Sequence, residues 1–549
     1  MSRLSRGRTQ TKDSMYEIQL TRSHFPAQQD DEVLETTVGG VLRTQAALTP
    51  DAGALVEADL AGRIGRSWTY LELLADAERL ASALASRYAV GERICVWSPN
   101  IPEWVILEYA AGLAGLILVT ANPAYRPREL KFVLEQSRSA GLFLTREYRG
   151  NPMWDIAAEV AVDIPALREV IDLDDHAALF AGEDAGATLP DVLPGDPVQI
   201  QYTSGTTGFP KGAVLHHRGV TNNARYSHAR SGSRPGDTLL NFMPMFHTAG
   251  CGLATLGSAQ FGCRMILAKL FDPGAMLDIC EAEGVTSILG VPTMLVALVE
   301  AQRARPRSLP LLRLAASGGS MVAPELVREV RALFSCDFQT VYGQTETSPL
   351  LTQIRSEDSI EDMCGTVGQA MPQTELAILD PATSAVVPVG QVGEICARGY
   401  CLMLGYNDNP EANAKTIDTD GWLHTGDLGT MDSRGYVRIT GRVKEMIIRG
   451  GENLFPAEIE NVLLEHPDVA EVAVVGAPDE RWGEIVVCFL RMRPGAGLDA
   501  AALVGHCRQH IAPQKTPAHW IEIDEWPLTG SGKIQKFVLR DRFVAGEWA

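Results

Sequence analysis

Tyr202-Thr203-Ser204-Gly205-Thr206-Thr207-Gly208-Phe209-Pro210-Lys211-Gly212 places three glycines, four aliphatic hydroxyls and one lysine in a single loop. Glycines let backbone N–H groups approach phosphate oxygens closely, hydroxyls add donors, and Lys211 adds a full positive charge, so the stretch is built to hold a polyphosphate. It is not a Walker loop. Counting from Gly205, Pro210 stands where the second glycine belongs, and Lys211 is followed by Gly212 rather than by a hydroxyl residue. Val198, Ile200 and Tyr202 alternate with polar residues on one side, and Ala213-Val214-Leu215 resume apolar character on the other, so the loop joins two strands. A P-loop would run directly into a helix.

Working outward, 549 residues allow two to four domains at roughly 150 residues each. A net charge of −20 argues against a nucleic-acid binder, so an anionic substrate must meet local positive charge. Ten cysteines are scattered without a C-x2-C pair, which indicates neither a zinc site nor a disulfide frame. No apolar stretch follows the basic Met1–Lys12 segment, and with the free cysteines this gives a cytoplasmic expectation. The most apolar run, Trp104 to Val119, is broken by Glu108 and two glycines, and it reads as a buried helix leading into a strand rather than a transmembrane span.

From about Pro197 to Glu346, short apolar runs alternate with helical stretches, as in a mostly parallel sheet flanked by helices. Strands are expected at Thr238–Met243, Thr286–Leu289, Arg313–Ala316 and Phe338–Val341, and helices around Ala249–Leu256, Pro292–Ala301 and Pro324–Phe334. Three of these strands lead into unusual loops: Pro244-Met245-Phe246-His247, Ser317-Gly318-Gly319-Ser320 and Tyr342-Gly343-Gln344-Thr345-Glu346. Ligands of open α/β sheets bind beyond the carboxyl ends of the strands, so the three loops describe one crevice. The region before Pro197 reads as a second α/β layer. After Val367 short strands and tight turns indicate a β-rich subdomain, and beyond Gly441 a further α+β unit ends in Leu528-Thr529-Gly530-Ser531-Gly532-Lys533.

Nearly the whole chain resembles the adenylate-forming superfamily of acyl-CoA synthetases, luciferases and peptide-synthetase adenylation domains, most closely its fatty-acyl-CoA synthetase branch. Six signatures stand in that family's order: Tyr202 to Gly212, Phe246 to Gly250, Tyr342 to Thr347, His424-Thr425-Gly426-Asp427, Gly441-Arg442-Val443-Lys444-Glu445, and Gly530 to Lys533. The resemblance implies an α/β fold: a large N-terminal domain, residues 1–443, of two stacked α/β sheet layers plus a small β-rich subdomain. A small mobile α+β C-terminal domain, residues 444–549, follows it.

The same resemblance assigns roles. Thr203, Ser204, Gly205, Thr206, Thr207 and Lys211 would hold ATP phosphates, together with Gly343, Gln344 and Thr345. Gly318 and Gly319 would let adenine lie on the backbone with Tyr342 stacked against it, or form merely a tight turn. Glu346 is a hard-oxygen partner for Mg²⁺, with Thr206 beside it; taken alone it is a surface glutamate. Asp427, an acceptor-only carboxylate, would take the ribose hydroxyls, a role compatible with capping an Asx turn. His247 would gate an acyl pocket that includes Ser317 and Gly319. Arg442 and Lys533 supply the cations needed when a carboxylate attacks the α-phosphorus. Rotation about Lys444 would bring Arg449, Gly450 and Gly451 to a CoA channel.

The activity implied is ATP-dependent ligation of a carboxylic acid to CoA through an acyl-adenylate, with Mg²⁺ as cofactor and ATP and CoA as co-substrates. The partners are small molecules; a homodimer is left open. An acyl-AMP ligase loading a carrier-protein phosphopantetheine and a catalytically silent nucleotide-binding protein stand as alternatives.

Overall fold

The computed structural model describes residues 16–59, 61–184, 188–203, 210–320, 322–493, 495–528 and 534–548. A seven-stranded sheet is built on Arg93–Trp97, Ile117–Ala121, Gly141–Leu144, Glu169–Asp172 and Pro197–Thr203, which pair in parallel. Lys211–His216 and Gly405–Tyr406 extend it antiparallel beyond Pro197–Thr203. Its central strands are buried along nearly their whole length, as a parallel sheet covered on both faces requires. The helix Pro102–Leu113 is buried on every side and leads into Ile117–Ala121, as its uniformly apolar sequence indicated. Tyr70–Arg87 begins with a capping box between Thr69 and Glu72.

A nine-stranded sheet stacks on the first. Its parallel centre runs Asp337–Gly343, Leu314–Gly318, Ser287–Gly290, Thr238–Asn241, Arg264–Ala268 and Gly53–Ala58 in spatial order, with antiparallel strands at both edges. The partition at Pro197 is thereby corrected. Pro197–Thr203 belongs to the first sheet, and Gly53–Ala58, from before that boundary, belongs to the second. Ala249–Leu256 is helical as expected but is wound as a π-helix, a rare form frequent at functional sites.

A five-stranded antiparallel sheet follows the grammar read after Val367, comprising Thr374–Leu379, Gly393–Gly399, Leu423–Met431 and Val437–Arg442, with His24–Phe25 added from near the amino terminus. Residues beyond it form another five-stranded sheet around Val469–Asp479 and Gly483–Met492, flanked by helices Pro456–Leu464 and Ala500–His510. This unit has an apolar core of its own, including Ile447, Ile459, Val474, Val486, Leu490 and Leu503. Among the described residues no helix is long and apolar enough to cross a membrane.

Candidate active site

Thr238–Asn241, Leu314–Gly318 and Asp337–Gly343 run parallel within one sheet, so their carboxyl ends and the three loops that follow them lie along one edge. The first sheet clamps the first of these loops. Asn100 donates through Nδ2 to the carbonyls of Met243 (2.9 Å) and Ala268 (3.1 Å), and its Oδ1 accepts the N–H of Met245 at 2.9 Å. Thr120 Oγ1 donates to the Phe246 carbonyl at 3.0 Å. His247 is therefore presented on a backbone held from below, with its ring 4.4 Å from that of Phe246 and its carbonyl accepting from Gly250 at the start of the π-helix. Ser317 and Thr340 are register partners on neighbouring strands, and both buried hydroxyls lack a hydrogen-bond partner among the described residues.

Asp427 is buried at the junction of the nine-stranded and five-stranded sheets. Tyr342 Oη donates to its Oδ2 at 3.0 Å, and Arg442 Nε lies 2.9 Å from Oδ1. Burial, followed by the charge of Asp427, drives the Tyr342 phenol far above its ordinary pKa, so it remains a donor. The ring belongs to the core cluster of Leu351, Leu376 and Ile395, and Tyr342 thus fixes Asp427, whatever base its ring meets.

The turn carrying Asp427 is braced from behind. Glu394 accepts the Gly426 N–H at 2.9 Å and meets His424 Nδ1 at 2.8 Å, while Thr425 Oγ1 donates to the Ile395 carbonyl and accepts the Asp427 N–H. Burial opposes charge on His424, but the hydrogen bond and charge of Glu394, joined by Asp418, outweigh it and raise its pKa. Glu394, Cys396 and His424 each offer a ligand atom within 4.8 Å of the others. Two of the three already serve the turn through hydrogen bonds, which accounts for their proximity.

Glu346 sits in the short helix Thr345–Thr347 after Asp337–Gly343. A side chain at Gly343 would place Cβ 1.9 Å from the Pro349 carbonyl, so only glycine lets the chain double back here. Glu346 is buried, and Tyr406 Oη donates to its Oε1 at 2.6 Å, while Oε2 has no hydrogen bond among the described residues. Burial, with the neighbouring Glu346 carboxylate, pushes the Tyr406 phenol well above its usual pKa and keeps it a donor. Lys211 Nζ stands 4.6 Å from the centroid of the same Tyr406 ring, within cation–π range. One tyrosine thus ties together the cation of the first signature and the carboxylate of the third. A buried carboxylate with one oxygen anchored by a tyrosine is a donor suited to a hard divalent cation.

The two strands flanking the first loop pair antiparallel, with Thr203 opposite Lys211, so that loop does join two strands. Ser204, Gly205, Thr206 and Thr207 lie outside the described residues, as does Lys533. The described ends around Lys533 meet through a bridge between Leu528 and Ile534. Just beyond, Lys536 pairs with Glu460 (2.7 Å) and Glu445 (3.3 Å), tethering the tail to the residue next to Lys444. Gly318 ends its strand and Gly319 follows it in the left-handed region, and Gln344 and Thr345 lead into Glu346. Arg449, Gly450 and Gly451 form a turn of the last unit, with both glycines in the left-handed region. Tyr406 was missed in the sequence. Its only local signal is the Gly405-Tyr406 pair before a polar turn.

Residues 42–407 match the AMP-binding enzyme family, and residues 458–533 match the AMP-binding enzyme C-terminal domain. The chain belongs to the AMP-binding enzyme family. It is 35% identical over 542 residues to the putative acyl-CoA synthetase YngI of Bacillus subtilis, covering 93% of this chain and 98% of that one. It is 33% identical over 542 residues to the mitochondrial medium-chain acyl-CoA ligase ACSF2 of Homo sapiens, covering 92% and 87%. Among solved structures, ATP-bound MatB from Rhodopseudomonas palustris superposes with a TM-score of 0.84 at 29% identity, covering 93% of this chain and 99% of that one. The architecture, a large unit followed by a small one, is that of these enzymes.

Proposed function

We propose that this protein is an AMP-forming acyl-CoA synthetase: it joins a mainly apolar carboxylic acid to ATP as an acyl-adenylate, then transfers the acyl group to CoA. What supports the reading is that Tyr406 ties Glu346 to Lys211, that Tyr342 and Arg442 hold Asp427, and that His247 follows a parallel strand of the sheet that carries Tyr342 and Glu346. The names of the relatives, acyl-CoA synthetase and medium-chain acyl-CoA ligase, support the same chemistry and favour acids of medium length.

In the first half-reaction the substrate carboxylate oxygen forms a bond to the α-phosphorus while the bond to the β-phosphate bridging oxygen breaks and pyrophosphate leaves. Asp427 accepts the ribose hydroxyls while held by Tyr342 and Arg442. Lys211 faces the phosphates, His247 borders the acid, and Lys533 is assigned to the carboxylate and α-phosphate. Glu346 would hold Mg²⁺, which supplies charge neutralisation on the phosphates. In the second half-reaction residues 444–549 swing about Lys444, a CoA thiol gives up its proton and attacks the acyl carbonyl, and AMP departs.

Mixing the protein with ATP, Mg²⁺ and a panel of carboxylic acids should release pyrophosphate in an acid-dependent way, and adding CoA should yield the thioester by mass spectrometry. Pyrophosphate release with no CoA thioester would favour a carrier-protein acceptor. ATP binding with no acid-dependent release would leave only a nucleotide-binding protein. We assign the enzyme to the cytoplasm on its scattered free cysteines, nine of the ten buried, and leave a homodimer to be tested by light scattering.

A further inference from the structure

Lys536 is a charged group to which the reaction above gives no role. It opens the helix Lys536–Val544, three residues beyond Lys533 in the chain. An ammonium group is costly to take out of water unless it is paired, and this side chain keeps only 23% of its surface exposed. Two carboxylates meet it, Glu460 at 2.7 Å and Glu445 at 3.3 Å. Burial works against its charge, but the two carboxylates outweigh burial and raise its pKa, so the side chain is a held cation.

The two partners belong to different parts of the chain. Glu460 is buried in the helix Pro456–Leu464, and its Oε1 also accepts the Val474 N–H at 2.7 Å, so this end of the cluster is fixed in the body of the last unit. Glu445 lies in the short helix Val443–Glu445, directly after Lys444 and three residues after Arg442. Its charge favours the cationic form of Arg442, after the larger effect of Asp427. Lys536 thus bridges the segment that holds the assigned pivot and the body of the unit that would turn on it. A pair serving only that body would need Glu460 alone. The chain just before Lys536 is clamped as well: Leu528 bridges Ile534, and the Gln535 N–H donates to the Pro527 carbonyl at 2.7 Å. Trp526 and Ile534 pack on the core around Val475, Val487 and Phe489. Both ends of the segment 529–533 are therefore held at one place, and that place is tied through Lys536 to the residue beside Lys444.

We infer that Lys536 is a positioning residue for adenylate formation: through Glu445 and Glu460 it fixes the base of the segment carrying Lys533 at a set distance from the Lys444 pivot. It touches neither substrate nor nucleotide and acts through Lys533. This rests on the ligase reading and sharpens it, because only the first half-reaction uses Lys533, so only that half-reaction depends on the clamp.

The test separates the half-reactions in the full chain. With the panel acid that releases most pyrophosphate, acid-dependent pyrophosphate exchange into ATP and thioester formation from that acid's supplied adenylate plus CoA are measured for the wild type, K536M, K536R and E445Q, with thermal melting to verify folding. A misplacement of roughly 1 Å in a catalytic constellation can cost on the order of 100-fold, so K536M and E445Q should lower kcat for exchange by about 10- to 100-fold. The KM values for ATP and acid should hold, thioester formation from the adenylate should stay within two-fold of wild type, and K536R, which keeps the charge, should recover most of the exchange rate. Exchange within two-fold of wild type in both K536M and E445Q overturns the proposal. So does an equal fall in both half-reactions, which would make the cluster a support of the last unit alone. Should K536M melt below the assay temperature, E445Q decides by the same criteria, since its carboxylate is 30% exposed and its loss leaves the Lys536–Glu460 pair in place. A wild type with no acid-dependent exchange would end the ligase reading, and a Lys533→Ala variant with normal exchange would end the assignment of Lys533; each is distinct from failure of the clamp.

Discussion

Changing Tyr406 to phenylalanine removes a single oxygen from the site and leaves everything else about the side chain in place. The ring that faces Lys211 at 4.6 Å survives, and so does its packing, while the 2.6 Å hydrogen bond to Glu346 Oε1 is lost. A hydrogen bond to a charged acceptor contributes about 1.5–3 kcal/mol, which corresponds to roughly 10- to 150-fold in an equilibrium or a rate. The upper part of that range applies if Glu346, which is buried, loses this donor and also its orientation. The lower part applies if the carboxylate swings toward solvent and is rehydrated. Acid-dependent pyrophosphate release should therefore fall 10-fold or more at fixed Mg²⁺, with a higher Mg²⁺ concentration at half-maximal rate, while the KM for the carboxylic acid changes little. A Mg²⁺ titration of the Phe variant against the wild type decides it. A rate within two-fold of wild type and an unshifted Mg²⁺ midpoint would show that Tyr406 does not hold Glu346 for the reaction.

Lys533→Ala should abolish adenylate formation yet spare thioester formation from a supplied acyl-adenylate; equal loss of both steps would misplace its role. Lys444→Pro, by stiffening the short helix Val443–Glu445, should do the reverse, and normal CoA-thioester output from this variant would rule out rotation there. Burial holds the pKa of His217 and of His228 down at about 4, from an ordinary value of 6.5. Between these values the unfolded chain binds protons that the folded chain refuses, so stability is full above pH 6.5 and falls as pH drops toward 4, by up to about 3 kcal/mol for each histidine. His216, also lowered by burial, adds to this loss, while His424 and the buried Glu108, whose pKa values are raised, work in the opposite direction. Urea denaturation should show a lower midpoint at pH 5 than at pH 7, and equal midpoints would refute the account.

Local pattern carried much of this fold because the strongest elements obey local rules. Pro324–Phe334 begins at its proline and ends where expected, and the all-apolar run at Trp104 became a buried helix. The crevice was legible for the same reason: three unusual loops each follow a strand, and the strands proved parallel within one sheet. Sheet membership was not legible. Pro197–Thr203 has the same alternation whichever sheet it joins, and its pairing with Ile117–Ala121 is decided by packing far along the chain. Tyr406 was hidden in the same way, since it meets Glu346 across sixty residues and a tyrosine in a turn announces no partner. The π-helix reads as ordinary helix because its apolar content is the same; only the wider winding distinguishes it.

These long-range contacts explain how an acidic chain can bring two anions together. Lys211 extends the first sheet, and Glu346 follows a strand of the second, so their separation is set by how the sheets stack rather than by either loop. Tyr406 is an edge residue of the first sheet that reaches the carboxylate at the end of the second. Asn100 and Thr120, both from the first sheet's region, clamp the loop that carries His247. Asp427 is tied in turn to Tyr342 of the second sheet and Arg442 of the third. Each charged group is thus oriented by a neutral donor or a cation from a different layer. Close-packed layers move as rigid bodies rather than deforming residue by residue, so substrate charge meets dipoles already in position. The cost of assembling them is met during folding, when the sheets close on one another, and not at each turnover.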